Sequence, residues 1–352
     1  MSAADLARPE IRALSPYRPA RQEPHGLRLH ANEAPWTCDG ARGLNRYPPI
    51  RPLALQERLA GHYGVPSGNL LVTRGTSEGI DLLVRAFCRP GVDSVIVTPP
   101  TFGMYRVYAD IQGAAVVSVR LPRERSFALD VERVLQACHR HTRLVFLCSP
   151  NNPTGGLIDR ADILRIADAL LGRSLVVVDE AYVEFSGADS LARAAAGSSN
   201  LVVLRTLSKA FALAGARCGS VIGPADAIGL LGGVLAPYAL SMPVIDCVLD
   251  ALAPANLCTV EEAIAAIVRE RERLAVALAE QPLVAGVWPS RANFLLVEFA
   301  DAARARERLR ARRILIREPE DGTLSDCARI TVGTREENGR LIEALGASVE
   351  AA

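Results

Sequence analysis

The residue with the most distinctive chemistry in this 352-residue sequence is Lys209, the only lysine among 40 lysine and arginine residues. It follows the apolar run at 201–204 and comes directly after Ser208. An amine can form a Schiff base with a carbonyl carbon, whereas the guanidinium of arginine stays protonated and is a poor nucleophile. A lysine retained in a chain that otherwise uses arginine predicts amine chemistry here; chance survival is the alternative. The lone lysine precedes alanine, which excludes a GxxxxGK[ST] phosphate loop.

A second group of residues is suited to an anion. Residues 74–79 read Arg-Gly-Thr-Ser-Glu-Gly and open a helical pattern after the strand predicted at 69–73. Glycine allows close approach to the backbone, the hydroxyls of Thr76 and Ser77 can donate, and a helix N-terminus attracts negative charge. The segment indicates a phosphate cradle; a helix cap formed by Thr76 or Ser77 is the alternative.

Two further predicted strands end in polar residues. The strand at 175–178 is followed by Asp179, and an acid at the end of a buried strand needs a cationic partner. A helix-capping aspartate is the alternative. The strand at 144–148 is followed by residues 149–155, where two prolines and a glycine can hold an asparagine amide in a rigid turn. A tight turn without a further role is the alternative there.

The elements around these residues predict that they meet. Apolar segments without polar alternation alternate with helical patterns, which indicates a mostly parallel sheet covered on both faces. Ligands of such sheets bind outside the carboxyl ends of the strands, so Lys209, Asp179 and the cradle are predicted to form one site. The predicted strands are at 69–73, 94–98, 115–119, 144–148, 175–178, 201–204 and 218–222, and the helices at 53–63, 77–87 and 158–171.

After about residue 225 the pattern changes. Glycine and proline at 230–243 predict a mobile connector, and the remainder predicts a smaller α+β domain. Its predicted helices are at 261–278, at 302–312 and from 335, and its strands at 293–299, 314–317 and 329–332. Residues 1–46 are rich in proline, arginine and histidine and predict an extended arm.

Composition excludes several classes of protein. A net charge of +1 gives no field that would attract nucleic acid or an anionic membrane. The eight scattered cysteines include no C-x-x-C pair, so we expect neither a metal site nor a disulfide framework, and reduced cytoplasmic thiols fit best. Residues 1–10 carry acids and lack an apolar core, so we expect no signal peptide, and no apolar run approaches the roughly 20 residues of a membrane span.

Taken together, these motifs resemble the class I/II aminotransferases, pyridoxal-phosphate enzymes of fold type I. The lysine and the acid match what pyridoxal phosphate requires, a Schiff-base amine and a partner for its ring nitrogen. The most specific segments are 29–33, 46–48, 73–80, 149–155, 179–182, 206–211 and 329–333. The resemblance implies a large pyridoxal-phosphate domain at 47–240 with a mostly parallel seven-stranded sheet between helices. It also implies a small domain at 241–352, joined by the arm at 1–46, and a homodimer.

The resemblance also assigns roles. Lys209 would carry the Schiff base and later transfer protons, and Asp179 would pair with the pyridinium nitrogen. Residues at the rest of the cofactor would be Tyr182 and Asn152 at its phenolic oxygen, Phe102 over its ring, and Thr76, Ser77, Ser208 and Arg217 at its phosphate, with Thr206 a further candidate. Many relatives have tyrosine where Phe102 stands, so any role of a phenol there is lost. Tyr47 would reach into the neighbouring subunit's site, and the substrate would contact Tyr17, Asn32, Arg317 and Arg329.

The expected reaction also follows from the resemblance. Within the family the chain more closely resembles enzymes that convert L-histidinol phosphate and 2-oxoglutarate into imidazole-acetol phosphate and L-glutamate, in histidine biosynthesis. Threonine-phosphate decarboxylases and aromatic amino acid aminotransferases share the motifs and remain alternatives. A non-catalytic pyridoxal-binding regulator is disfavoured, because the roughly 40 residues before the core hold no helix-turn-helix pattern. Whether Arg317 or another residue binds the substrate phosphate stays open.

Overall fold

A seven-stranded sheet forms the centre of the computed structural model, which describes residues 2–15, 17, 27–38, 40 and 43–346. Its strand order is β1-β7-β6-β5-β4-β2-β3. The strands are β1 (Leu70–Thr73), β2 (Ser94–Val97), β3 (Ala115–Ser118), β4 (Thr142–Cys148), β5 (Leu175–Asp179), β6 (Leu201–Thr206) and β7 (Gly219–Ile222). β7 runs antiparallel to β1 and β6, and the other neighbours are parallel. The predicted mostly parallel sheet is confirmed.

Helices cover both faces of this sheet, which explains the apolar strands. Every residue of β5 and β6 is buried, and their side chains alternate between two core clusters. β-Branched residues on both sides of a strand suit a sheet packed on two faces. The front face carries α3 (Gly75–Phe87), α4 (Met104–Gln112) and α8 (Ala225–Val234); the back face carries α2 (Leu53–Tyr63), α5 (Val131–Ala137), α6 (Arg160–Ala169), α7 (Ala192–Gly197) and α9 (Met242–Ala251).

The remaining elements form a smaller α+β unit with its own core. Its antiparallel sheet has the order β10-β9-β8, and Leu274, Val297 and Leu341 belong to the apolar cluster that joins it to its helices. The elements are α10 (Pro254–Ala279), β8 (Val284–Trp288), β9 (Phe294–Phe299), α11 (Ala302–Ala311), β10 (Cys327–Thr331) and α12 (Arg335–Gly346). Among the described residues no single helix is both long and apolar enough to cross a membrane; α9 and α10 meet the two conditions only together, across a bend of 73°. The boundaries at 46 and 240 stay a prediction.

Three local predictions were wrong or incomplete. Residues 230–243 are not one connector, because they include the end of α8 and the start of α9, whose first turn accepts Pro243. The strand predicted at 314–317 is reduced to an isolated bridge between Arg317 and Arg329. β8 was missed because the pairing with β9 shifts register at Gly286, which also breaks the apolar pattern.

The N-terminal residues pack against the large sheet. A short 3₁₀ turn (Ala3–Leu6) and α1 (Pro9–Arg12) replace part of the predicted extended arm. Ala3 and Leu6 are buried in the front-face core, and the Arg8 N–H donates to the Ala86 carbonyl at 3.0 Å. Burial of these apolar side chains keeps residues 3–12 against the helices that cover the large sheet. The sequence predicted instead that the arm joins the small domain.

Candidate active site

The carboxyl ends of β4, β5 and β6 border a cavity of about 240 Å³. Parallel strands end at the same edge, so residues distant in sequence converge there. Eleven residues singled out in the sequence line this cavity: Thr76, Ser77, Phe102, Asn152, Asp179, Tyr182, Thr206, Ser208, Lys209, Arg217 and Arg329. Cys148 and Ala181, which the sequence did not single out, complete the lining.

Lys209 brings an amine into this cavity. Its Nζ lies 5.7 Å from the centroid of the Tyr182 ring. Partial burial lowers the pKa of the amine, and the positive charges of Arg329 and Arg217 lower it further, while Asp179 acts in the opposite direction. A lowered pKa increases the neutral fraction, which is the nucleophilic and proton-accepting form of the amine.

The loop that carries Lys209 is anchored by its neighbours. Thr206, the last residue of β6, accepts a hydrogen bond on its Oγ1 from the Ser208 N–H at 3.1 Å. The fully buried Leu207 donates its N–H to the Cys218 carbonyl on the adjacent chain segment, at 3.1 Å. These contacts fix the backbone on both sides of the turn, so the position of Lys209 is set by the sheet.

Asp179 is the buried acid of the site. It ends β5 with 2% of its surface exposed. Its Oδ2 accepts a hydrogen bond from the Tyr105 hydroxyl at 2.9 Å, and its Oδ1 accepts one from the Ala181 N–H at 3.1 Å. Burial raises the pKa of this carboxyl to about 6, although both hydrogen bonds act to lower it. A buried carboxylate with such a pKa suits a cationic partner from a ligand.

The predicted phosphate cradle has the groups an anion requires. Gly75 begins α3 with φ +78°, and a Cβ there would lie 2.9 Å from Arg217 Nη2. The positive φ favours glycine here, and the missing side chain leaves room for the guanidinium beside the helix start. Thr76 and Ser77 occupy the first helical turn, whose N–H groups have no partner within the helix. Arg217 Nη1 donates to Ser208 Oγ at 3.3 Å, so a cation, hydroxyls and a helix N-terminus converge.

The opposite end of the cavity joins the two sheets. Arg329 on β10 donates from Nη1 to Asn152 Oδ1 at 2.6 Å, and its guanidinium carbon lies 5.4 Å from the centroid of the Phe294 ring. Asn152 Nδ2 donates to the Tyr182 hydroxyl at 3.4 Å. The Arg329 guanidinium therefore brings a positive charge and a planar set of donors to the side of the cavity opposite the Lys209 amine. Such a group binds a carboxylate or a phosphate.

Four predicted residues lie outside the cavity in a single chain. Tyr17 and Asn32 are exposed, and Tyr47, half exposed, stacks on Tyr238 with ring centroids 4.7 Å apart. Arg317 pairs with Glu320 and is largely exposed. Their predicted roles stay predictions.

The sequence missed Tyr105, which binds Asp179. It occupies a buried position of the amphipathic helix α4 and looked like an ordinary core residue.

Comparison with known proteins identifies the family. Residues 29–345 match the family described as aminotransferase class I and II. The chain belongs to this aminotransferase family. The aminotransferase is 46% identical to histidinol-phosphate aminotransferase of Stenotrophomonas maltophilia (strain R551-3), covering 99% of this chain and 97% of that protein. It is 42% identical to the protein of the same description from Escherichia coli (strain SMS-3-5 / SECEC), covering 97% of each.

A solved structure points to the cofactor of the aminotransferase. The fold matches histidinol-phosphate aminotransferase from Sinorhizobium meliloti in complex with pyridoxal 5′-phosphate, with a TM-score of 0.79 and 27% identity, covering 88% of this chain and 84% of that one. The aminotransferase is pyridoxal-phosphate dependent. Its cavity fits the group, because it holds one amine, one buried carboxylate and an anion cradle of hydroxyls, an arginine and a helix N-terminus that begins at Gly75.

Proposed function

We propose that this aminotransferase converts L-histidinol phosphate and 2-oxoglutarate into imidazole-acetol phosphate and L-glutamate, a step of histidine biosynthesis. The observation that carries the proposal is the 46% identity to a histidinol-phosphate aminotransferase over nearly the full length of both chains. The convergence of Lys209, Asp179 and Arg329 in one cavity supports it, because amino transfer needs an amine, an acid and a site for an anionic substrate group.

In this mechanism Lys209 Nζ is the group that moves protons. Pyridoxal phosphate, when bound, supplies a conjugated ring that accepts electron density from the amino-bearing carbon of the substrate. The lowered pKa of Lys209 leaves part of the amine neutral, so Nζ can take a proton from that carbon and return it elsewhere. Arginine has no comparable neutral form.

Asp179, Tyr182 and Asn152 orient the ring in this proposal. Asp179 would hold a proton on the ring nitrogen through its charge, since that pairing also relieves the cost of burying the carboxylate. The hydroxyl of Tyr182 and the amide of Asn152 are already hydrogen-bonded to each other and would bind the phenolic oxygen together. Phe102, half-buried at the cavity wall, would cover the ring.

Two sites would bind anions. Thr76, Ser77, Ser208 and Arg217, with Thr206 behind them, would hold the cofactor phosphate. Arg329 would bind the anionic group of either substrate. Residues that face each other in an antiparallel bridge project to the same side, so Arg317, which pairs with Glu320 in the single chain, would add a second charge beside Arg329 for a substrate phosphate. Tyr17 and Asn32 would complete the entrance.

We further propose a cytoplasmic homodimer in which Tyr47 contributes to the partner's site. Tyr47 lies outside the cavity of its own chain and is half exposed, as a residue that serves another subunit must be. All eight cysteines are free, which suits a reducing compartment. Light scattering of the purified protein tests the dimer, and loss of activity in Tyr47→Ala, with restoration in mixed dimers carrying Lys209→Arg on the other chain, tests the shared site.

The reaction is tested with a substrate panel. Purified protein loaded with pyridoxal phosphate should form glutamate from 2-oxoglutarate when L-histidinol phosphate is the donor. Carbon dioxide release from threonine phosphate would instead favour the decarboxylase. Transfer from aromatic amino acids without transfer from histidinol phosphate would overturn the substrate assignment. Protein freed of cofactor is the control and should be inactive until pyridoxal phosphate is restored.

A further inference from the structure

Among the residues that the structure describes, Tyr105 is the only one whose side chain donates a hydrogen bond to the buried acid of the site, Asp179. Its hydroxyl donates to Asp179 Oδ2 at 2.9 Å, while the other carboxylate oxygen is bound by the backbone at Ala181. Together the two bonds fix the plane of the carboxylate. Tyr105 does not line the cavity, so any effect on the reaction would pass through Asp179.

Tyr105 is itself held rigidly. It is fully buried, and its ring stacks on Phe146 with centroids 4.9 Å apart and an interplanar angle of 7°. The Phe102 ring packs edge-on against the Tyr105 ring, with ring centroids 5.6 Å apart. Phe102 precedes α4 and Tyr105 lies in its first turn, so one short segment presents both the residue at the cavity wall and the residue that binds the acid. A shift of this segment would move both.

We propose that Tyr105 is a positioning residue that orients Asp179 and keeps it ionised for the cofactor's ring nitrogen. The proposal rests on the proposed role of Asp179 and extends it to a residue outside the cavity. Burial works against ionisation of Asp179, and the Tyr105 hydrogen bond opposes burial more than any other group around the carboxyl. Because burial also raises the pKa of Tyr105 well above its ordinary value, the phenol keeps its proton and stays a donor.

Tyr105→Phe tests this inference with little disturbance of packing. The phenylalanine keeps the ring stack on Phe146 and removes only the hydroxyl. Without that donor the pKa of Asp179 rises, so Asp179 is protonated to a higher pH. Pyridoxal phosphate should bind the variant about 10-fold more weakly at pH 7, and the acidic limb of both binding and kcat should move to higher pH, while KM for the amino donor changes little.

Two comparisons separate positioning from packing. Tyr108→Phe, a hydroxyl deletion on the same helix at a half-buried residue, should keep wild-type affinity and pH dependence. In a protein that already carries Asp179→Asn, Tyr105→Phe should have less than about a twofold further effect on cofactor affinity, because the charge that it serves is gone.

The cofactor titration does not depend on which amino donor is correct, so it can fail or succeed independently of the substrate assignment. Unchanged affinity and an unmoved acidic limb in Tyr105→Phe would overturn the proposal. Equal losses with and without Asp179→Asn would overturn it as well. A fall in unfolding temperature accompanied by a wild-type pH profile would assign Tyr105 to packing alone, against the proposal.

Discussion

Two neighbouring polar residues at the end of β5, Asp179 and the following Glu180, and two at the end of β6 point to opposite faces of the sheet. Asp179 and Thr206 face the front and line the cavity, whereas Glu180 and Arg205 face the back. On the back, Arg205 Nη2 binds Glu184 at 2.7 Å, its Nη1 lies 3.4 Å from Glu180, and its guanidinium carbon lies 4.7 Å from the Tyr63 ring centroid. We name Tyr63, Glu180, Glu184 and Arg205 the back-face cluster.

The difference between the two faces concerns where each charge finds its partner. The back-face cluster pairs its buried charges within the chain, so it stabilises the fold and has little left for a ligand. On the front, Asp179 has neutral hydrogen-bond donors but no arginine at contact distance among the described residues, and burial raises its pKa to about 6. Neighbouring residues at the end of one strand therefore have different roles. We expect substitutions on the front face to change activity and substitutions on the back face to change stability.

Lys209→Arg on the front should have the largest effect. Arginine keeps the charge but cannot supply a neutral amine, so turnover should fall by at least about 10³-fold, within the range that acid–base catalysis alone contributes. The visible absorbance of lysine-linked cofactor should be lost as well. The unfolding temperature of the cofactor-free protein should change by no more than a few degrees. Turnover or absorbance that persists in this lysine-free chain would contradict the assignment of Lys209.

Arg205→Met on the back should lower stability next most strongly. It leaves Glu180 and Glu184 without their cation, and an uncompensated buried charge costs about 3–5 kcal/mol. Urea unfolding measures this loss, and kcat per folded molecule should stay within about threefold of wild type. Arg269→Met at an exposed arginine is the matched control and should change stability by less than about 0.5 kcal/mol. Lost activity with unchanged stability would erase the proposed division between faces.

Asp179→Asn should raise the stability of the cofactor-free protein at neutral pH while lowering activity. The folded-state pKa of about 6 lies above the ordinary 3.8, so the native state binds more protons between these values and stability falls as pH rises through that window. The loss of stability caused by the buried charge is complete above pH 6 and absent below about 3.8. The difference between the two pKa values corresponds to about 3 kcal/mol of unfolding free energy.

Urea unfolding at several pH values measures this gain. The variant should exceed wild type at pH 7.5 and match it near pH 4. Asp168→Asn, on the exposed side of α6, is the control and should be near neutral at both pH values. A gain that does not depend on pH would show that the charge of Asp179 is not its cause.

The contrast between faces also explains what the sequence could predict. Convergence of Lys209, Asp179 and the cradle followed from strand ends alone, because the carboxyl ends of parallel strands meet. Arg329 comes from the second sheet, and its place in the cavity was predicted only by family resemblance. Tyr105 could not be predicted, since a buried tyrosine on an amphipathic helix has the pattern of a core residue. The strand predicted at 314–317 from its β-branched isoleucines was wrong, because only Arg317 of this segment pairs with β10.

Tyr63→Phe should have the smallest effect and gives the sharpest comparison of the two faces. The Tyr63 hydroxyl is buried on the back and has no hydrogen-bond partner among the described residues, whereas the hydroxyls of Tyr105, which binds Asp179, and Tyr182, which lines the cavity, are both bonded. Removing an unsatisfied buried hydroxyl relieves its desolvation cost, and phenylalanine keeps the ring against Arg205. We therefore expect unchanged kcat and an unfolding free energy equal to wild type or up to about 1 kcal/mol higher. A loss of stability in urea unfolding would show that the back-face hydroxyl has a partner, and the two faces would then differ less than proposed.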